Sequence, residues 1–313
     1  MSNIILIIVS FLLGILFRRW SESSYSKKSQ ITFPIETPKV LNAFIIYISL
    51  PSLILYHIHE VPFQFSLIAL IFMPWIVFAF GILTMNTFAK LFRWDKPTTG
   101  GLILTSGLGN TSFVGLPMIE AFYGKEFLGY GLIADQGGTF FMLSTLGLWI
   151  AMKYTPIHTE HQTQDFISIT KRILFFPPFF VLMITLILRP FPYPDWLKNV
   201  LLQLGSTLPP LALFSVGFQL KLSEIKNDGI YLIFGLLYKL LIAPILIVIL
   251  YAPLDISKEV YHIAIFEAAM GPMITGGIVA ISYQLRPSLV ALMLALGIPL
   301  SFFTAPIFWY FFH

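Results

Sequence analysis

The run Gly107-Leu108-Gly109-Asn110-Thr111-Ser112-Phe113-Val114-Gly115-Leu116-Pro117 decides how this chain is read. It lies inside an apolar stretch, Thr99 to Phe122, that is long enough to cross a bilayer. Proline deletes a backbone donor and clashes with the preceding turn, and glycine lowers the cost of leaving helical geometry. Such a run predicts two half-helices joined by an extended link. Bare peptide groups are costly in lipid, so a break of this kind is tolerated only where protein or a wet cavity satisfies it. A second segment has the same character: Glu267-Ala268-Ala269-Met270-Gly271-Pro272, followed by Thr275-Gly276-Gly277. Both breaks are therefore expected at a solute pathway, with half-helix N-termini after Pro117 and Pro272. Their free N–H groups and positive dipole ends suit a carboxylate. A plainer reading is that these prolines only kink ordinary spans, since Pro51, Pro74, Pro209, Pro210, Pro244 and Pro299 are also intramembrane.

Around these two segments the whole chain is apolar. Hydrophobic residues make up 57% of the 313 and charged residues 11%, against roughly 25% charged in a soluble domain. Windows of about 20 residues give ten candidate spans. They are Asn3 to Phe17, Val40 to Ile58, Phe65 to Ala89, Thr99 to Phe122, Phe127 to Met152, Ile173 to Leu188, Val200 to Leu220, Gly229 to Ala252, Val260 to Leu285 and Pro287 to Phe312. These stretches are continuously apolar, without the alternation of a barrel strand, so the expected class is an all-α polytopic membrane protein. The polar stretches Arg18 to Lys39 and Tyr154 to Arg172 are too short to bury a core. Cysteine is absent, which excludes disulfides and thiolate chemistry. The net charge of +4 is spread along short loops, which gives no footing to a nucleic-acid partner.

An internal repeat sets the organisation. Ser49-Leu50-Pro51-Ser52-Leu53-Ile54-Leu55 recurs as Thr207-Leu208-Pro209-Pro210-Leu211-Ala212-Leu213, an offset of 158, and Pro117-Met118-Ile119 recurs as Pro272-Met273-Ile274, an offset of 155. The two halves, 1–155 and 156–313, then hold five spans each. An odd number inverts one half relative to the other, the arrangement of secondary transporters. Basic residues cluster after the odd-numbered spans, as in Arg18, Arg19, Lys27, Lys28 and Lys39, Lys90, Arg93 and Lys96, or Lys153, Lys171 and Arg172. The other loops carry Lys125, Arg189, Lys198 and Lys258. Basic loops stay cytoplasmic, so both termini are expected outside, in a multi-pass protein of the plasma or inner membrane. The first span is followed, not preceded, by Arg18 and Arg19, the charge order of an uncleaved helix rather than a secretory signal.

The run Gly109 to Pro117, with Tyr123-Gly124 after it, resembles the signature of the auxin efflux carrier family, whose bacterial members include malate and malonate permeases. Pro210-Leu211-Ala212-Leu213-Phe214-Ser215-Val216-Gly217 and Ala268-Ala269-Met270-Gly271-Pro272 resemble that family's seventh and ninth helices. The resemblance covers essentially the whole chain. It implies ten helices as two inverted five-helix repeats, with broken, crossed helices 4 and 9. It also implies a scaffold of helices 1, 2, 6 and 7, a transport domain of helices 3–5 and 8–10, elevator-like movement of organic anions, and a homodimer. Plant members carry charges in helix 3, whereas Phe65 to Ala89 carries none, so neither their proton relay nor auxin as substrate transfers to this chain.

Candidate site residues follow from the breaks and from ionisable groups in apolar segments, which face a cavity or a partner. Asn110, Thr111, Ser112, Gly115, Pro117, Gly271, Pro272 and Thr275 are expected to hold the substrate. Glu267, five residues before Pro272, and Asp135 are expected to couple an ion, as a proton carrier or as hard oxygen ligands for a small cation. A structural pairing of Glu267 with Lys239 is the alternative. Lys239 either attracts the substrate anion or neutralises Glu267. Glu120 is read as a residue near the outer mouth. His57, His59 and Glu60 suggest a metal cluster but sit at a span end where polar residues are ordinary, so no metal site is assigned, and His158 and His161 are read as solvated. The 31 Phe, 13 Tyr and 6 Trp read as lipid-facing bulk and interfacial anchors.

The expected function is a permease: a secondary carrier, a symporter of a small mono- or dicarboxylate with H+ or Na+, needing no cofactor. No Walker-type loop and no His-Glu-x-x-His pair is present, which argues against an ATP-driven pump and an intramembrane enzyme. The competing class is a non-transporting sensor with a transporter-like body.

Overall fold

The computed structural model describes residues 2–22, 34, 36–61, 64–156, 175–219 and 228–312. His158 and His161, the expected start of the sixth span at Ile173 and the expected end of the seventh at Leu220 lie outside these. The described chain is helical, and its one strand-like feature is an isolated antiparallel bridge between Gly109 and Pro272. Among the described residues, six helices are long and apolar enough to cross a membrane: Ile4–Glu22, Thr37–Ile58, Leu67–Phe92, Asp195–Gln219, Gly229–Tyr251 and Pro287–Phe312. Thr111–Phe122 and Pro177–Leu188 are shorter apolar helices. Large apolar side chains such as Ile8, Tyr47, Leu83, Ile187 and Phe303 stand exposed on these elements, as a lipid solvent requires.

The chain folds as two units, each threaded by several segments. The first comprises Met1–Pro62, Ser112–Leu132 and Phe176–Leu220. Within it the helix Ser2–Glu22 lies along Leu208–Gln219. A Cβ at Gly14 would fall 2.2 Å from the Phe214 carbonyl oxygen, and one at Gly217 would fall 2.2 Å from that of Phe11. Small residues of this kind let backbones approach where lipid offers no hydrophobic drive between helices. Polar groups buried in the unit find one another: the Ser49 and Thr207 hydroxyls are 2.7 Å apart, and Ser215 donates to Asn42 Oδ1 at 2.7 Å.

The second unit comprises Phe63–Thr111, Ile133–Phe175 and Lys221–His313. Leu67–Phe92 is packed by Lys96–Gly107, by Ala134–Phe140 and by Lys258–Ala268. The phenols of Tyr238 and Tyr251 donate to the carbonyls of Val77 and Ala69, at 2.5 and 2.6 Å, so that neither hydroxyl is left bare at depth.

Of the six π-helical turns among the described residues, three share one sequence context. Ile45–Ser49, Thr111–Gly115 and Tyr238–Ile242 each end two residues before a proline, at Pro51, Pro117 and Pro244. The proline ring collides with the carbonyl four residues back and supplies no N–H, and widening the turn relieves both problems.

Candidate functional site

Two interrupted helices meet in the second unit. Lys96–Gly107 starts on an Asp95 cap, whose Oδ1 accepts from the Thr98 N–H at 2.8 Å, and stops where Leu108 turns extended. Lys258–Ala268 starts on a Ser257 cap and stops at Ala269, and Ile274–Ser282 resumes after the link. The links run antiparallel. The Asn110 N–H donates to the Gly271 carbonyl at 2.8 Å and the Met273 N–H donates to that of Leu108 at 3.0 Å, on either side of the Gly109–Pro272 bridge. The peptide groups freed by one break are thus satisfied by the other, as intramembrane backbone demands.

This geometry corrects the expected register of the first break. The interruption falls at residues 108–110, and the chain is helical again from Thr111 to Phe122. Pro117 therefore sits inside a continuing helix, where its ring produces the π turn Thr111–Gly115 and not a new N-terminus. The open first-turn amides, which lack intrahelical carbonyls, belong to the start at Thr111 and to the start at Ile274.

Close approach dictates the glycines. A Cβ at Gly271 would lie 2.8 Å from the Gly297 carbonyl oxygen and 2.9 Å from Ile298 Cα, and one at Gly109 would lie 3.1 Å from Lys239 Nζ. Lys239 is carried on the π turn Tyr238–Ile242, fully buried, and its ammonium donates to the Ala268 carbonyl at 3.0 Å, a C-terminal carbonyl of the helix Lys258–Ala268. A cation suits such a helix end.

Beside this crossing lie several buried acceptors. Thr111 Oγ1 donates to Asp135 Oδ1 at 2.5 Å and Gln136 Nε2 donates to Asp135 Oδ2 at 2.6 Å. Glu267 is fully buried, and neither of its carboxyl oxygens has a hydrogen-bond partner. Asn110 Nδ2, Gln136 Oε1 and Thr139 Oγ1 are likewise buried and unpartnered. The charges whose fields reach Glu267 are those of Asp135 and Lys239, yet no direct ion pair joins Glu267 to Lys239. Five such atoms on four side chains depart from the usual near-complete satisfaction of buried polar groups.

Residues 23–309 match the family described as membrane transport protein. The chain belongs to this family, the auxin efflux carriers. It is similar to an uncharacterized transporter of Methanocaldococcus jannaschii, 26% identical over 82% of this chain and 83% of that one. It is also similar to an uncharacterized transporter of Methanothermobacter thermautotrophicus, 25% identical over 87% of this chain and 88% of the relative. This auxin efflux carrier family member is accordingly a multi-pass membrane transporter.

Of its expected site residues, Asn110, Thr111, Asp135, Glu267, Gly271, Pro272 and Lys239 all fall in the second unit, around the paired breaks. Ser112, Gly115 and Pro117 are buried in the segment that belongs to the first unit. Thr275 is exposed. Glu120 forms an ion pair with Lys125 at 3.7 Å. His59 stacks on Tyr193 and its Nε2 lies 3.0 Å from the Phe191 carbonyl, while Glu60 pairs with Lys198 at 3.0 Å. Gln136 and Thr139 were not singled out by the sequence reading. Their signal was the polar run Asp135-Gln136-Gly137-Gly138-Thr139 inside an otherwise apolar span.

Proposed function

We propose that this transporter is a secondary carrier of a small organic anion, a mono- or dicarboxylate, coupled to H+ or Na+. The observation that carries the reading is Glu267: a fully buried carboxyl group with both oxygens unpartnered, next to two paired helix breaks. An ionised carboxylate stripped of partners in the membrane interior is strongly disfavoured. Binding a proton, or a small cation together with oxygens from Gln136 and Thr139, removes the penalty and couples occupancy to the cell's ion gradient. Asp135 is already held by Thr111 and Gln136 and orients the acceptors of this ion site. The anion sits against the first-turn amides at Ile274, with Asn110 Nδ2 as an added donor. Lys239, whose ammonium lies beside Gly109, balances the two acidic groups.

The architecture in this reading is ten helices in two inverted five-helix repeats. The hydrogen bond between Ser49 and Thr207, which are the repeat-equivalent residues, supports it, as does the reciprocal pairing of the breaks. The first unit holds the first, second, sixth and seventh spans together with Ser112–Leu132, and the second holds both break links, a division into two bodies that an elevator-type carrier requires.

The test is uptake of labelled small carboxylates into proteoliposomes under an imposed proton or sodium gradient. Glu267→Gln keeps the shape, removes the titrating group and is expected to abolish gradient-driven accumulation while exchange of solute for solute continues. Accumulation that survives this substitution under both gradients would sink the coupling role. Carboxylate binding to the unaltered protein without any flux would favour the receptor reading instead.

A further inference from the structure

A second polar site lies in the second unit, away from the helix breaks. A cavity of about 320 Å³ is lined by Asn86, Lys90, Trp94, Lys96, Lys153 and Tyr154, with Ala89 and Thr99 completing the wall. Lys90 lies in the last turn of the helix Leu67–Phe92, Lys96 begins Lys96–Gly107, and Lys153 lies in the last turn of Leu148–Tyr154, so three helix ends converge on the cavity. The floor is rigid: the Tyr154 phenol donates to Asn86 Oδ1 at 2.6 Å, and Asn86 Nδ2 donates to the Ile82 carbonyl at 2.7 Å. The three lysines are exposed around that floor. None is in an ion pair with another described residue, and the Lys153 ammonium is instead held over the rings of Trp149 and Tyr154, at 4.7 and 5.7 Å. Asp95, the acidic residue in the connecting turn, has its Oδ1 engaged by the Thr98 N–H.

We infer that this cavity binds a phosphate group, supplied by the headgroup of an anionic phospholipid. Lysines are point-charge phosphate ligands, and basic pockets between transmembrane helices at the cytoplasmic side attract anionic headgroups. The basic loops at residues 93–96 and 153–156 are the ones the charge distribution assigns to the cytoplasmic face. Trp94, Trp149 and Tyr154 mark the interfacial depth at which a headgroup lies. The same helices leave Leu83, Leu91 and Phe92 exposed beside the cavity, an apolar surface for the acyl chains of the lipid whose phosphate is bound.

The experiment uses the full chain purified in a neutral detergent, with native mass spectrometry and thermal unfolding as readouts. The probes are dioleoylphosphatidylglycerol, dioleoylphosphatidylcholine and inorganic phosphate. Phosphatidylglycerol is expected to bind and raise the unfolding temperature where phosphatidylcholine does not. Combined Lys90→Gln, Lys96→Gln and Lys153→Gln should weaken that binding by about fivefold per lysine, roughly a hundredfold together, and the three Lys→Arg changes should preserve it. Equal retention of phosphatidylglycerol by the glutamine variant, or no preference over phosphatidylcholine, would overturn the proposal. Lysine-dependent binding of inorganic phosphate with no binding of the lipid would overturn the lipid source. Should the glutamine variant fail to fold, the preference of the unaltered protein and of the arginine variant decides the matter.

Discussion

Glu267 and Lys239 show how little of a buried charge's meaning lies in its identity. Both sit in apolar segments, and a simple expectation pairs them. In the fold the ammonium donates to the Ala268 carbonyl, one residue beyond Glu267, and the carboxyl oxygens remain unpartnered. A cation at a helix C-terminus needs no carboxylate, and under the proposed function Glu267 is the group left to take up a proton or small cation. Gly271 is under equal constraint for a different reason, since a Cβ there would press on the backbone of Gly297 and Ile298, which has no side-chain freedom to yield. Gly271→Ala is therefore expected to destabilise the protein by about 1–3 kcal/mol and to lower its unfolding temperature. An unchanged thermal transition would contradict the close packing at the crossing. Gly109→Ala meets instead the end of the Lys239 side chain, which can withdraw, so its effect should fall on transport more than on stability.

At the scale of elements, Pro51, Pro117 and Pro244 each follow a π turn without ending the helical run, whereas Pro272 sits in a break link. The three π turns ending two residues before Pro51, Pro117 and Pro244 are the same local response to one missing donor and one clash. The turn before Pro244 carries Lys239 and the turn before Pro117 carries Thr111, so two of the three present a side chain to the site. Pro244→Ala restores the donor and removes the clash, and the helix Gly229–Tyr251 is expected to relax toward regular α geometry. Lys239 then rotates away from Ala268, and initial uptake rates should fall while the amount of folded protein in the membrane stays the same. Full uptake by this variant would show that the π turn has no part in positioning the ammonium. The broken elements follow a different rule, because each link finds its hydrogen bonds in the other link.

For the molecule as a whole, the distribution of basic loops makes a prediction that the cysteine-free chain is well suited to check. Single cysteines replacing Lys125 or Lys258 should react with a membrane-impermeant maleimide added to intact cells, whereas cysteines replacing Lys96 or Arg286 should react after the membrane is opened. The reverse pattern would invert the orientation and move the proposed headgroup cavity to the other leaflet.

Membrane class, helical character and the approximate places where helices fail were legible in the sequence, because hydropathy and the backbone preferences of glycine and proline are local properties. The expected interruption at Pro117 missed because proline reports distortion upstream of itself, and where that distortion becomes a break depends on a partner link to receive the freed peptide groups. That partner, residues 271–273, is distant along the chain. Tertiary structure alone decided that the two links pair, that the Glu267 carboxyl lacks a hydrogen-bond partner while Asp135 accepts from Thr111 and Gln136, and that Thr275 is exposed. Local capping residues such as Asp95 satisfy helix starts, but at the breaks hydrogen-bond satisfaction is settled between distant segments, and no local pattern of residues specifies it.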